Sequence, residues 1–305
     1  MREVIGGYKN GNYHVILLND GTMIRNCNED RMIPEFPDSM DIKITNKCSG
    51  TNCLYCHENS GPNGEHGKIL NVPFLESLHK YTQLAIGGGN VLEHPDFIPF
   101  LEWCKEKELI PSITLNQKHF IENLDIVKYL VDNKLIYGLG VSLTYPTPEF
   151  INAVREFPNA VVHVIAGIVS KTEIERLSDK GIKMLILGYK QFRRGKDFYN
   201  SSSAMQSRID NNINWLKSNI EEIIDKFEVV SFDNLAIRQL NIKSVIPEGD
   251  WDRFYMGDDG KFTMYIDTVN CEYAVSSTSK NRHKYTDESI ETMFNIVRQE
   301  ALVNA

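Results

Sequence analysis

Long apolar runs are missing from this sequence: no stretch of its 305 residues approaches the roughly 18 apolar side chains of a membrane-spanning helix. No charged-then-apolar leader opens the chain either, so the expectation is a cytoplasmic protein with no membrane anchor. A basic excess is absent as well. The 41 acidic against 33 basic residues give a net charge of −8, which argues against duplex nucleic acid, because that binding needs several phosphate contacts. There is no internal repeat and no low-complexity tract, which excludes a solenoid or a compositionally disordered chain. Cysteine is scarce, at six residues, and without a leader those six point to a reducing compartment.

What cysteine there is lies crowded together. Cys48, Cys53 and Cys56 fall in the stretch 47–57, behind an apolar strand pattern at 40–45. Thiolates so close in sequence can converge on a metal ion or a cluster. Three ligands leave a structural zinc site one short; His57 and His66 are near, but neither completes a paired knuckle. An iron–sulfur cubane held by three cysteines keeps one iron open to a ligand that is not protein. The second such stretch is 84–90, a short apolar strand running into Gly87, Gly88 and Gly89 and then Asn90. Consecutive glycines let backbone approach a ligand closely. On these residues alone, two other readings stand: a zinc-binding module in which the three cysteines and a histidine hold the metal, and a βα enzyme whose glycine turn binds phosphate without any cluster.

From residue 40, strand and helix patterns alternate. Strand patterns occur at 40–45, 84–87, 112–115, 137–143, 161–165 and 184–187, with helical patterns at 97–107, 121–133, 148–156 and 172–179 and a helical segment expected between the cysteines and the glycines. Six βα units predict an α/β fold with a parallel sheet curled into a partial (βα)6 TIM-like barrel, its ligand site at the carboxyl ends of the strands. Residues 1–38 carry Asn10-Gly11 and Asn19-Asp20-Gly21 between short strand patterns at 2–8, 13–18 and 22–25, and predict a β-meander. Residues 39–196 would be the barrel. Residues 197–305, with a helical pattern at 205–227 and a hairpin signal after Asp258-Asp259-Gly260, predict an α+β extension capping it. Asn116 and Ser142 end the third and fourth strands with small polar side chains, and the loop 188–195 brings Lys190 and Arg193 to the same rim, where either could hold an anionic substrate or a cofactor carboxylate. Cys104, beside Trp103 on an apolar helix face, reads as core. Cys271 reads as an isolated thiol that could donate hydrogen to a substrate radical.

Three clustered cysteines after a first strand, with aromatic Tyr55 just before the last, resemble the radical S-adenosylmethionine (SAM) superfamily. The usual spacing there is three residues then two; here Cys48 and Cys53 enclose four, an extra length of at most about 3.5 Å that a turn at Gly50 could absorb. Gly87, Gly88 and Gly89 resemble the family's glycine-rich second-strand motif for the methionine end of the cofactor, with Asn90 near the place of its acidic residue. Ile165 and Gly167 partly match its adenine-contacting fifth strand, and Ser170 stands where that pattern has a Glu. The resemblance implies a [4Fe-4S] cluster on Cys48, Cys53 and Cys56, SAM at the open iron, and reductive cleavage to a 5′-deoxyadenosyl radical that takes hydrogen from the substrate. It further implies an electron donor such as flavodoxin or ferredoxin. The substrate is expected to be a small molecule, a nucleotide or a peptide.

Overall fold

The computed structural model describes residues 3–51 and 53–304; Arg2 of the first expected strand and Asn52 of the cysteine stretch lie outside them. A small antiparallel sheet comes first, formed by β1 (Val4–Asn10), β2 (Tyr13–Leu18) and β3 (Met23–Cys27) in that order. It is the expected meander. The main sheet follows with β4 (Ser39–Thr45), β5 (Gln83–Gly88), β6 (Ile110–Asn116), β7 (Gly138–Ser142), β8 (Ala160–Ile165) and β9 (Lys183–Leu187), which lie side by side in chain order, all parallel. These are the six strands expected of the partial barrel.

The chain after residue 196 adds strands to both ends of that sheet. β10 (Val229–Phe232) pairs parallel to β9, and β11 (Thr263–Asp267) pairs parallel to β4 at the opposite end. β11 then turns back into β12 (Glu272–Ala274), the hairpin that the glycine turn signalled, and β13 (His283–Lys284) ends the sheet. β10 and β13 are its two termini, and among the described residues no strand pairing closes the barrel. Across the gap, the Asn234 amide donates to the Gly257 carbonyl (3.2 Å) and to the Asp259 carboxylate (2.7 Å). The C-terminal helix Ile290–Asn304 buries Ile290, Met293, Phe294 and Val297 in the same core as the barrel strands.

The alternation of side chains explains how the sheet makes a site. On β4, Met40, Ile42 and Ile44 are buried in the core, whereas Asp41 and Lys43 point to the other face; Ile113 and Leu115 alternate with Thr114 and Asn116 on β6 in the same way, as do Val162 and Val164 with His163 on β8. The apolar face is covered by helices such as Phe97–Glu106, whose Phe97, Phe100, Leu101 and Cys104 recur at the spacing of one helical stripe and are all buried. The inner face is left small or polar on β4 to β7, whereas β8 and β9 bring Ile165, Leu185 and Leu187 to it. Between β4 and β5 the expected helical segment is reduced to one turn, Pro73–Glu76, because the cysteine stretch and Gly61, Gly64 and Gly67 occupy the connection with turns. Among the described residues no helix is long and apolar enough to cross a membrane.

Asp38 docks the meander on the barrel. Its fully buried carboxylate accepts hydrogen bonds from Tyr8 (3.0 Å), the Asn10 amide (2.9 Å), Tyr13 (2.9 Å) and the Arg25 guanidinium (2.7 Å). Removing the acceptor strands four donors, one of them charged, so Asp38→Ala is expected to destabilise the fold by about 3–5 kcal/mol. Urea unfolding measures it, and a loss under about 1 kcal/mol would show that the meander is held by its apolar contacts instead.

Candidate functional site

A cavity of about 430 Å³ opens at the carboxyl ends of the parallel strands, and Cys48, Cys53 and Cys56 all line it. Their loop is fastened from several sides. Gly50 takes a left-handed conformation (φ +77°) and its carbonyl accepts from Lys118 (2.9 Å); His119 Nε2 donates to the Ser49 carbonyl (2.8 Å). Glu93 holds the same point from the other side, accepting from both the Ser49 backbone N–H and its hydroxyl, each at 2.8 Å. Burial, with the proximity of the other thiols, pushes the Cys48 and Cys53 thiols up, while the hydrogen bond from Thr51 opposes it. The Asn116 amide lies 3.9 Å from Cys53 Sγ. Tyr55 lines the cavity beside them, its hydroxyl pushed up to about 12 by burial.

Gly87, Gly88 and Gly89 reach the same cavity, for unlike reasons. A Cβ on Gly88 (φ +112°) would stand 2.2 Å from the Thr45 carbonyl oxygen, and one on Gly89 would stand 2.0 Å from that of Lys47. Both are therefore required by the close approach of the chain that leads into the cysteines. At Gly87 a Cβ would meet nothing within 4 Å, so this glycine alone leaves open space in the cavity. Ser142 and Ile165 are on the wall as well.

Four sequence candidates lie elsewhere. Asn90 does not face the cavity; its side chain caps the turn Val91–Glu93 and donates to Glu93. Gly167 faces Ile209 of the helix Ser203–Ile224, where its carbonyl accepts from Asn212 (3.0 Å). Arg193 is turned to Glu58, donating to its carbonyl (3.0 Å) and standing 3.5 Å from its carboxylate. Cys271 is exposed in the turn between β11 and β12, apart from the cavity, with φ +51° and its thiol toward the Thr268 carbonyl at 3.9 Å. Lys190 does reach the cavity and donates to Ser277 (3.1 Å).

Several residues here carry no sequence motif. The Lys43 ammonium, almost wholly buried, lies 3.1 Å from Asp267 and 3.3 Å from Glu58. Glu58 also accepts from Tyr265 (3.1 Å). Nε2 of His57 is 3.3 Å from Glu58 and 3.4 Å from Lys190, and can donate to the first or accept from the second but not both. Burial, reinforced by Lys190, lowers the His57 pKa, and burial alone brings His163, on the cavity wall, down to about 4. Arg194, rather than Arg193, lines the cavity; it donates to the Ser60 carbonyl, while its Nε and the Ser60 hydroxyl are buried without partners. Only the alternation of β4 could have drawn attention to Lys43; nothing local marks Glu58 or Tyr265. A larger hollow of about 600 Å³, bordered by Arg238, Asp259 and Lys280, holds none of the cysteines or the three glycines. Among the described residues, no three His, Cys, Asp or Glu side chains are grouped for a single metal ion. A cubane makes a different demand, since each thiolate binds its own iron and the sulfurs stand apart.

Burial would raise the Glu58 pKa, but the His57 hydrogen bond and the charges of Lys43 and Arg193 outweigh it and bring the carboxyl down to about 2. A depressed carboxylate stabilises the fold above its unfolded pKa of 4.5 and loses that contribution as pH falls through 2. Glu58→Gln is thus expected to be less stable than the parent by about 3 kcal/mol at pH 6, with the gap closing between pH 4.5 and 2. Unfolding curves taken across that range would run parallel if the ion pairs contributed nothing.

No protein-family model matches the sequence, and none of the curated proteins does. Among solved structures the chain is similar to SuiB of Streptococcus suis. Against SuiB bound to S-adenosylmethionine the TM-score is 0.60 at 13% identity, covering 87% of this chain and 68% of SuiB. Against SuiB bound to its precursor peptide SuiA it is 0.58 at 15% identity, covering 90% and 67%. A third SuiB structure gives 0.51 at 16%, covering 88% and 69%. At this identity the likeness is one of architecture, and over most of its length the chain has the fold of SuiB.

Proposed function

We propose that the chain is a radical SAM enzyme acting on a peptide. The observation that carries this reading is that three cysteines of one loop and the glycine end of the adjacent strand open into one cavity at the carboxyl edge of a parallel sheet. The fold is shared with a protein solved with S-adenosylmethionine and with a precursor peptide, which favours a peptide among the three substrate classes expected. The donor set suits a [4Fe-4S] cluster: three thiols of one loop open into one cavity, and a cubane held by three cysteines keeps one iron for a ligand that is not protein.

Cys48, Cys53 and Cys56 would hold the cluster, and the space at Gly87, between Lys43 and Thr114, would receive the methionine end of the cofactor. Ser142, Ile165 and Asn116 would meet the rest of it. Held there and reduced by a donor such as flavodoxin or ferredoxin, the cluster would supply the electron for reductive cleavage of SAM and, through it, hydrogen abstraction from the substrate. The protein's part is to orient both molecules and to exclude water, through the apolar wall of Leu185, Leu187 and Ile168 and the fastened cysteine loop. Lys190, hydrogen-bonded to Ser277 at the rim, would orient an anionic or carbonyl group of the peptide.

Anaerobic reconstitution followed by dithionite and SAM tests the assignment. About four irons per chain and 5′-deoxyadenosine are expected, and Cys53→Ala should lose both. A colourless protein that binds one zinc and makes no 5′-deoxyadenosine would replace this reading with a zinc module. The glycines separate cofactor space from fold. Gly87→Val should keep its iron and weaken SAM binding by about tenfold or more, whereas Gly88→Val, driven against Thr45, should lose stability and iron together. Equal SAM affinity in a folded Gly87→Val variant would move the cofactor elsewhere.

A further inference from the structure

The cavity reaches below its polar rim. On β4 its lining descends to Asp41, four residues before the strand ends at Thr45, or roughly 13 Å at about 3.3 Å per residue. On β5 it descends to Ala85, the pairing partner of Asp41, but on β6 only to Thr114. Asp41 and Ala85 are therefore its floor. The Asp41 side chain is open to this cavity and accepts no hydrogen bond and makes no ion pair among the described residues.

The charged groups around it leave that carboxyl without a counter-ion. On its own strand, the Lys43 ammonium is committed to Asp267 and Glu58. From the loop after β9, Lys190 favours the ionised form, yet its ammonium is bonded to Ser277 and 3.4 Å from His57. Glu58 from the cysteine loop, Asp233 from the end of β10 and Asp259 from the loop before β11 all oppose ionisation. Tyr265, paired with Asp41 from β11, directs its hydroxyl to Glu58. Enclosure by protein is the largest influence and pushes Asp41 up to about 6.

We infer that Asp41, on the cavity floor beside Ala85, is a cation subsite that receives the protonated amine or guanidinium at the end of a substrate arm. A carboxylate that opens into a cavity and has no internal partner gains most from a ligand that brings both charge and hydrogen-bond donors. The floor has room for such a group, because the pairing neighbour of Asp41 on β5 is only alanine. As a statement about substrate, it rests on the proposal that this cavity is the active site, and it narrows the peptide to one that presents a basic side chain there.

The test uses n-butylammonium and n-butylguanidinium as probes, with n-butanol and butyrate as neutral and anionic counterparts, against both reconstituted and cluster-free protein. Binding is followed by NMR titration. At least one cation is expected to bind about tenfold or more tightly than butanol, butyrate not at all, and the preferred cation tells amine from guanidinium. Because the amine stays protonated while Asp41 gains a proton, cation affinity should fall about tenfold from pH 7 to pH 5. Asp41→Asn should lose the preference over butanol. Ala85→Leu keeps the carboxyl but fills the floor, and should lose binding of every probe; it decides the matter if Asp41→Asn does not fold. Unchanged cation affinity in a folded Asp41→Asn or Ala85→Leu variant, or a preference for butyrate, would overturn the subsite. Absence of iron uptake and of 5′-deoxyadenosine with cation binding intact would instead count against the proposed reaction and leave the subsite standing.

Discussion

A buried ammonium needs its counter-charges more than any other group in this protein, and Lys43 finds them in two distant places. Asp267 comes from β11 and Glu58 from the cysteine loop, so one cation joins β4, the far end of the chain and the loop that carries the thiols. Separating either carboxylate would leave charge in a nearly dry site, a cost of several kcal/mol that apolar packing would have to meet. The position of the cysteine loop over the sheet is thus set by charge neutralisation. Around it, Tyr265 donates to the Glu58 carboxylate, His57 stands 3.3 Å from it, and Arg193 donates to the Glu58 backbone carbonyl.

The sheet divides labour between its two faces. Outside, branched and aromatic residues meet the helices and supply the bulk of the stability. Inside, alternate positions on β4 to β7 are small or polar and border a volume that side chains do not fill. In a fully packed parallel barrel, bulky branched residues would occupy those positions. Here they include Ala85, Gly87, Thr114 and Ser142, and the space they leave is the cavity.

Much of this was legible because it is local. The six strands and most of the crossover helices follow from hydrophobic period, and the cysteine spacing and the triple glycine are contiguous strings that stand out without coordinates. The pairing of residues far apart in sequence was not. Glu58 meets Tyr265 across 207 positions and Lys43 meets Asp267 across 224, and a single sequence carries no signal of either. The C-terminal strands illustrate the same point: a hairpin could be read after Asp258-Asp259-Gly260, but not that its first strand would flank β4 while β10 extends β9. Asn90 and Glu93 mark a subtler failure. The amide next to the glycines drew attention, whereas the carboxylate three residues on grips Ser49 and the amide only supports it. Conversely, Gly88 and Gly89 were legible as necessary but not for the right neighbour, since what presses on them is the chain's own backbone at Thr45 and Lys47.

The position of β11 governs the order in which the molecule can be completed. As the chain leaves the ribosome, β4 through β9 can assemble strand by strand in the order of synthesis, each next to the last. One flank of β4 stays bare until residues 263–267 emerge, and so does the charge of Lys43, which has Glu58 but not yet Asp267. Closing a contact across more than two hundred residues is slow, and an unpaired strand edge invites association with other nascent chains in the meantime. Residues 263–267 therefore cover the one flank of β4 that the strands made before them leave bare, and until they are made that edge is open to pairing with another chain.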